Sequence, residues 1–206
     1  MGERAFQSKH QTWDDYRRLP DGPRVELIGG EVFDMSPAPS ARHQGIVFEL
    51  SLQLGNFFKG KPCKPFVAPT DLKLSDEDVV QPDLMVVCDR DQIKETHVEG
   101  APALVIEILS PSTMNHDRKR KMGLYARAGV KEVWLVSPLP ASIEVFLLDG
   151  ATYRFMGLYQ VGDAFVSPGF EELKLDLPAV FDFPVDPGEQ VYVVKEDGAP
   201  YGAEGE

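Results

Sequence analysis

The sequence predicts a mixed α/β fold, a central sheet flanked by helices. Three observations carry that expectation. Ala41–Phe58 repeats its apolar residues with a helical period: Ile46, Leu50, Leu54 and Phe57 recur at i, i+4, i+8 and i+11, with Val47 and Phe58 beside them. Ala103–Leu109 (ALVIEIL) is a short, almost continuous apolar run, the pattern of a strand buried on both faces. A second helical stretch, running to about Ala128, separates it from the apolar strand Val133–Val136. A helical crossover between two strands makes them parallel neighbours.

The elements follow in order. Thr12–Leu19 (TWDDYRRL) reads as a short helix capped by Thr12 and stopped by Pro20 and Gly22. Arg24–Ile28 and Glu31–Met35 alternate around Gly29-Gly30, a hairpin signal. Pro37 and Pro39 break the chain before the long helix, and Gly60 closes it. Phe66–Ala68 and Asp71–Leu74 read as short extended pieces, and Val79–Cys88 as one strand. Ser110–Thr113 (SPST) offers capping residues for the second helix, and Gly129 ends it. Ile143–Leu148, Thr152–Leu158 and Ala164–Val166 predict a meander turning at Asp149-Gly150, with Leu173–Phe183 as a last ordered segment. The expected organisation is one domain over residues 1–185 and an acidic, frayed tail over 186–206.

Composition narrows the function classes. With 206 residues, 43% of them hydrophobic, the chain can bury a sizeable core. No stretch reaches the roughly 18 apolar residues of a membrane span, and the start, MGERAFQSKH, has no apolar signal core. Cys63 and Cys88 form no CxxC and are expected to be separate, buried thiols in a reducing, cytoplasmic setting. The formal charge is −12. Residues 160–206 hold 11 acids against two bases, and residues 1–159 hold 22 against 19. That distribution excludes a histone-like, purely electrostatic binder and leaves room for a local basic patch. No GxSxG, Walker A, GxGxxG or HExxH motif occurs, and the four histidines lack ligand spacing.

Two acids stand out against apolar surroundings. Asp83 follows Pro82 inside VVQPDLMVV, where the proline removes a ladder donor and marks an edge or bulge. Glu107 is the one polar residue of ALVIEIL. A buried carboxylate is expensive unless paired or bound to a cation. Each has a plainer reading, as a loop residue or a solvated strand position. Together, on neighbouring strands, they fit one hard cation such as Mg²⁺. Asp117, Lys121 and Tyr125 share one face of the following helix, where Lys121 can reach a scissile phosphate or the attacking water. The alternative is a surface Asp117–Lys121 pair worth about 0.3–0.5 kcal/mol. Arg118, Lys119, Arg120 and Lys121 form the densest basic run, either a solvated face or a set of phosphate contacts. Glu26, His43 and Asp71 are secondary candidates, each with a structural alternative: a solvent-facing strand residue, a structural histidine and a turn cap.

VELIGGEV, VVQPDLMVV, ALVIEILSPST and DRKRKMGLYARAGVKEVWLV together resemble the Uma-type restriction endonuclease family of the PD-(D/E)xK nuclease superfamily, over about residues 12–180. The resemblance implies a restriction-endonuclease-like fold, a mixed four-stranded core flanked by helices, and divalent-metal-dependent phosphodiester hydrolysis. It makes Asp83 the PD aspartate and Glu107 the second acid. The superfamily's lysine position, two residues later, holds Leu109 here, and Lys121 matches the lysine displaced to the next helix. Glu26 matches the acid of the hairpin motif, and His43 the histidine opening the long helix.

The leading functional expectation is a Mg²⁺-dependent endonuclease acting on DNA, with Mn²⁺ as a substitute. Asp83, Glu107 and the Ile108 carbonyl hold the metal and Lys121 stabilises charge. A homodimer is expected, since one site cuts one strand. The alternatives are a catalytically silent nuclease-fold module that binds or regulates, and a hydrolase of another phosphoester such as a nucleotide.

Overall fold

The computed structural model describes residues 10–20, 22, 24–35, 38–109 and 116–184, the side chains of 116–119 excepted. A one-turn helix, α1 (Trp13–Tyr16), opens it, with the Asp15 carboxylate accepting from the Thr12 N–H and hydroxyl. The hairpin β1 (Val25–Ile28) and β2 (Glu31–Asp34) turns through Gly29 and Gly30. Both glycines have positive φ, 59° and 78°, as a tight hairpin turn requires. The long helix α2 (Ala41–Phe58) starts at Ser40, whose Oγ accepts the His43 N–H. Then come β3 (Lys64–Val67), β4 (Leu72–Lys73), β5 (Val79–Val80), β6 (Leu84–Val87), a 3-10 turn at Arg90–Gln92, β7 (Val98–Glu99) and β8 (Leu104–Ile108). Helix α3 (His116–Ala128) leads into β9 (Glu132–Pro138), β10 (Ala141–Asp149) and β11 (Thr152–Gln160). β12 (Phe165–Val166), β13 (Lys174–Leu175) and α4 (Leu177–Val180) complete the set.

The mixed α/β expectation holds. A six-stranded sheet runs β11-β10-β9-β8-β6-β3, and a five-stranded sheet runs β2-β1-β5-β4-β7. β8 and β9 are parallel and joined by α3, as the crossover argument requires, while β6 lies antiparallel to β8. The implied four-stranded core is present as β9-β8-β6-β3, and the β10–β11 hairpin widens it. Strand alternation sorts the core. Leu104, Ile106 and Ile108 face the cluster containing Ile46, Leu50 and Leu54 of α2. Val105 faces the cluster containing Leu124 and Tyr125 of α3 and Leu72 and Val80 of the second sheet. Glu107, two residues on from Val105, therefore points toward α3 and the second sheet.

Two expectations need correction. Val79–Cys88 is not one strand. Gln81-Pro82-Asp83 interrupts it, so β5 belongs to one sheet and β6 to the other. A proline in mid-run cannot donate to a ladder, and here the chain uses that break to change sheets. Cys63 and Cys88 are not separate thiols but are joined in a disulfide. The antiparallel pairing of Lys64 with Val87, extended by one residue, sets the two cysteines opposite each other. Their separation of 25 residues hid this, and the argument for a reducing compartment loses its footing. The 186–206 tail, Ser110–Thr113 and the side chains of Asp117, Arg118 and Lys119 lie outside the described residues. No helix among the described residues is long and apolar enough to cross a membrane.

Candidate active site

The site forms where the two sheets meet α3. The β6–β8 register pairs Leu84 with Ile106, so one step further sets Asp83 across from Glu107. Directly opposed residues of an antiparallel pair share a face, with Cβ atoms about 4.5–5.5 Å apart. The Ile108 N–H ties the two strand ends by donating to Asp83 Oδ2 at 2.8 Å. His43, in the first turn of α2, places Nε2 3.2 Å from the same oxygen.

Lys121 completes the cluster from α3. Its Nζ lies 3.2 Å from Glu107 Oε1 and 2.8 Å from Glu26 Oε1. All three side chains are well shielded, with 14%, 13% and 8% of Lys121, Glu107 and Glu26 exposed. One helical turn along, the Tyr125 hydroxyl donates to Glu107 Oε1 at 2.5 Å. The Gln81 N–H donates to Glu26 Oε1 at 3.0 Å, so the interrupted strand also secures the hairpin acid. Leu109, at the position where the resemblance implied a lysine in related sequences, packs with the core and gives its N–H to the Val136 carbonyl. Lys121 supplies the cation beside Glu107 instead.

Burial sets the electrostatics. It pushes Glu107 up to about 7, against the pull of Lys121 and with help from the Asp83 and Glu26 charges. Burial alone would lower Lys121, but Glu107 and Glu26 outweigh it and raise the ammonium above its ordinary value. Burial likewise opposes protonation of His43, and the hydrogen bond and charge of Asp83 prevail to raise it. Tyr125 is raised by burial and by Glu107, so it stays a hydrogen-bond donor. Among the described residues, the buried His43 Nδ1 has no hydrogen-bond partner.

The site thus gathers Asp83, Glu107, Lys121, Glu26 and His43. Asp71 lies one link outside: its Oδ1 accepts from Gln81 Nε2 and from the Tyr16 hydroxyl, each at 2.8 Å. Arg120 is laid over the Phe33 ring of β2, its guanidinium carbon 4.0 Å from the centroid. Tyr125 was placed by the sequence on the Lys121 face without a role of its own, and Gln81 was not singled out. The i+4 spacing from Lys121 put Tyr125 on the right face, whereas Gln81 holds Glu26 through its backbone N–H, which no residue type reveals.

Among the described residues, no group of three or more His, Cys, Asp or Glu is placed to hold a metal ion. A Mg²⁺ site does not need one, since that ion keeps several waters and takes one or two carboxylates. Hydrogen bonds among the described residues use one oxygen of each acid, Oδ2 of Asp83 and Oε1 of Glu107. The donor set of two carboxylates and the Ile108 carbonyl is hard and fits such an ion.

Comparison with known proteins places the chain in company. A family named Uma2 and described as "Putative restriction endonuclease" matches residues 13–178. The uncharacterized protein slr1290 of Synechocystis is 30% identical over 142 residues, 67% of this chain and 71% of that one. A second Synechocystis protein, sll1609, is 28% identical over 143 residues, 68% of this chain and 74% of that one. A crystal structure of a putative nuclease from Anabaena variabilis superposes with a TM-score of 0.69 at 22% identity, covering 82% of this chain and 97% of that one.

Proposed function

The chain belongs to the Uma2 family, and from that premise we propose that it is a divalent-metal-dependent endonuclease that hydrolyses phosphodiester bonds of DNA. The observation that carries the reading is Lys121 buried against Glu107, with Asp83 held across from that acid by the Ile108 N–H. An apolar strand tolerates a carboxylate poorly, and this one is neither solvated nor consumed by a simple ion pair.

Asp83 and Glu107, with the Ile108 carbonyl, would hold the metal. When bound, it supplies a Lewis acid and lowers the pKa of a coordinated water. The protein's own groups do the rest. Lys121 remains protonated at neutral pH, because its neighbours raise it, and so acts as fixed positive charge for the developing phosphorane rather than as a base. Glu26 holds that ammonium in place. Tyr125 fixes one oxygen of Glu107, and His43 fixes one oxygen of Asp83. A double-strand cut needs two such sites, so we place two copies of the chain on a duplex; sedimentation showing a monomer on cleavable DNA would remove that step.

The test is cleavage of plasmid and oligonucleotide DNA with Mg²⁺ or Mn²⁺, with RNA as a parallel substrate. Asp83→Ala and Lys121→Ala are each expected to lose about 10²-fold or more, the scale of losing one preorganised charge at a developing anion. Cleavage that survives both substitutions, or that needs no divalent ion, would defeat the proposal. Cleavage of RNA alone would overturn the DNA assignment.

A further inference from the structure

We propose that a cleft beside the acid cluster seats one nucleobase, and that it favours bases carrying an exocyclic amino group. The inference rests on the nuclease reading above and names a recognition element for it. The cleft has a volume of about 330 Å³ and is lined in part by Phe66, Pro69, Asp71, Gln81, Thr96 and His97. That is the low end of the range for small-molecule sites.

Its position ties it to the site. Gln81 lines the cleft with its side chain while its N–H holds Glu26, the acid that holds Lys121. The segment after β3 lines the cleft with Pro69, Thr70 and Asp71, and its Ala68 N–H donates to the Asp83 carbonyl at 3.0 Å. Two chain segments therefore serve both the cleft and the cluster. A nucleotide with its phosphate at Lys121 would set its neighbouring base in this cleft.

The chemistry of the walls selects the occupant. Phe66 and Pro69 are flat and apolar, suited to the face of a base. Asp71 supplies the edge. Both of its hydrogen bonds from described residues, from Tyr16 and Gln81, fall on Oδ1. Its second carboxylate oxygen takes none among the described residues, and a carboxylate accepts only. It suits the amino N–H of adenine, cytosine or guanine, whereas thymine offers it only an N3–H set between two carbonyl oxygens that repel a carboxylate. His97 is packed against Trp13, ring centroids 4.6 Å apart, and its Nδ1 lies 3.0 Å from Thr96 Oγ1. Burial keeps its pKa below the ordinary histidine value, and the ammonium among the lining residues, Lys94, donates to the Asp91 carbonyl and lies 3.9 Å from Glu99 Oε2.

The experiment uses the full chain in EDTA, so that no metal or catalysis is involved. Binding of deoxyadenosine, deoxycytidine and thymidine is followed by saturation-transfer NMR and competition. The first two should bind about tenfold or more tightly than thymidine, the scale of one hydrogen bond to a charged acceptor. In Asp71→Asn, Oδ1 stays committed to Tyr16 and Gln81, so an amide NH₂ replaces the accepting oxygen. The order should then turn toward thymidine, which a merely structural role for Asp71 would not produce. The proposal is overturned if the wild type binds no nucleoside, if thymidine binds as well as the other two, or if a folded Asp71→Asn keeps the wild-type order. Should that variant not fold, the wild-type order alone decides. A chain that sorts nucleosides this way yet never cuts nucleic acid would sink the nuclease reading and keep the cleft. A chain that cuts DNA but binds no nucleoside would do the reverse.

Discussion

Glu107 interrupts an otherwise apolar strand and is shielded from water by α3 and the hairpin. Its raised pKa has a consequence for stability. Between about 4.5 and about 7 the folded chain holds this proton more tightly than the unfolded chain does. Stability from this group is therefore greatest at acid pH and falls as pH rises through that window. Glutamine mimics the protonated acid, keeps an acceptor for Tyr125, and leaves Lys121 its contact with Glu26. In EDTA at pH 8, Glu107→Gln should melt at or above the wild-type temperature, with the gap closing toward pH 5. Scanning calorimetry at both pH values checks this, and a variant clearly less stable at pH 8 contradicts it. The same variant should lose cleavage, since a neutral amide is a poor ligand for a hard cation. Stability surrendered to seat a charge is a common mark of functional positions.

At the scale of elements, β9 shows how a second buried acid is held by neutral donors. Glu132 is 1% exposed and accepts from Trp134 Nε1, Ser167 Oγ and the Gly169 N–H. It fastens the loop before β13 to the sheet. A Cβ at residue 169 would collide with Glu132 Oε2, so the carboxylate, held at its other oxygen by Trp134 and Ser167, would have to shift away from the Gly169 N–H. Gly169→Ala should cost about 1–3 kcal/mol by leaving a buried carboxylate short of a donor. Urea denaturation measures it, and a neutral result would show that the loop moves freely. Legibility in the sequence varied in the same physical terms. The bounds of α2 fall at Ala41 and Phe58 as its periodicity indicates, because helix signals are local. The Gly29-Gly30 hairpin was legible for the same reason. The change of sheet at Pro82 and the Cys63–Cys88 bond were not, because each depends on which distant strand lies alongside. Asp83 and Glu107 were legible because their residue types clash with apolar surroundings, and Lys121 through its place on one helix face and the family resemblance. Gln81 and Glu132 show no such contrast before the fold is known.

For the whole molecule, the decisive feature is that the acid cluster straddles a seam. Glu26 comes from the five-stranded sheet, Glu107 from the six-stranded one and Lys121 from the crossover helix, while Gln81–Asp83 carries the chain between the sheets. An unfolded chain has no reason to bring Asp83 and Glu107 together, so a divalent ion taken up there binds the native state alone. Such binding adds RT ln(1 + [L]/Kd) to stability, about 2.7 kcal/mol at one hundred times Kd. For a chain of this size that is a rise in Tm of roughly 5–11 °C. Mn²⁺ should therefore raise the wild-type Tm in a saturable way, and EDTA should reverse it. Asp83→Asn and Glu107→Gln should show no such rise, although each keeps the net negative charge that draws cations loosely to the surface. That contrast separates a seated ion from diffuse screening: a shift of equal size in wild type and both variants would mean that Mn²⁺ acts on the acidic surface and that the seam holds no metal.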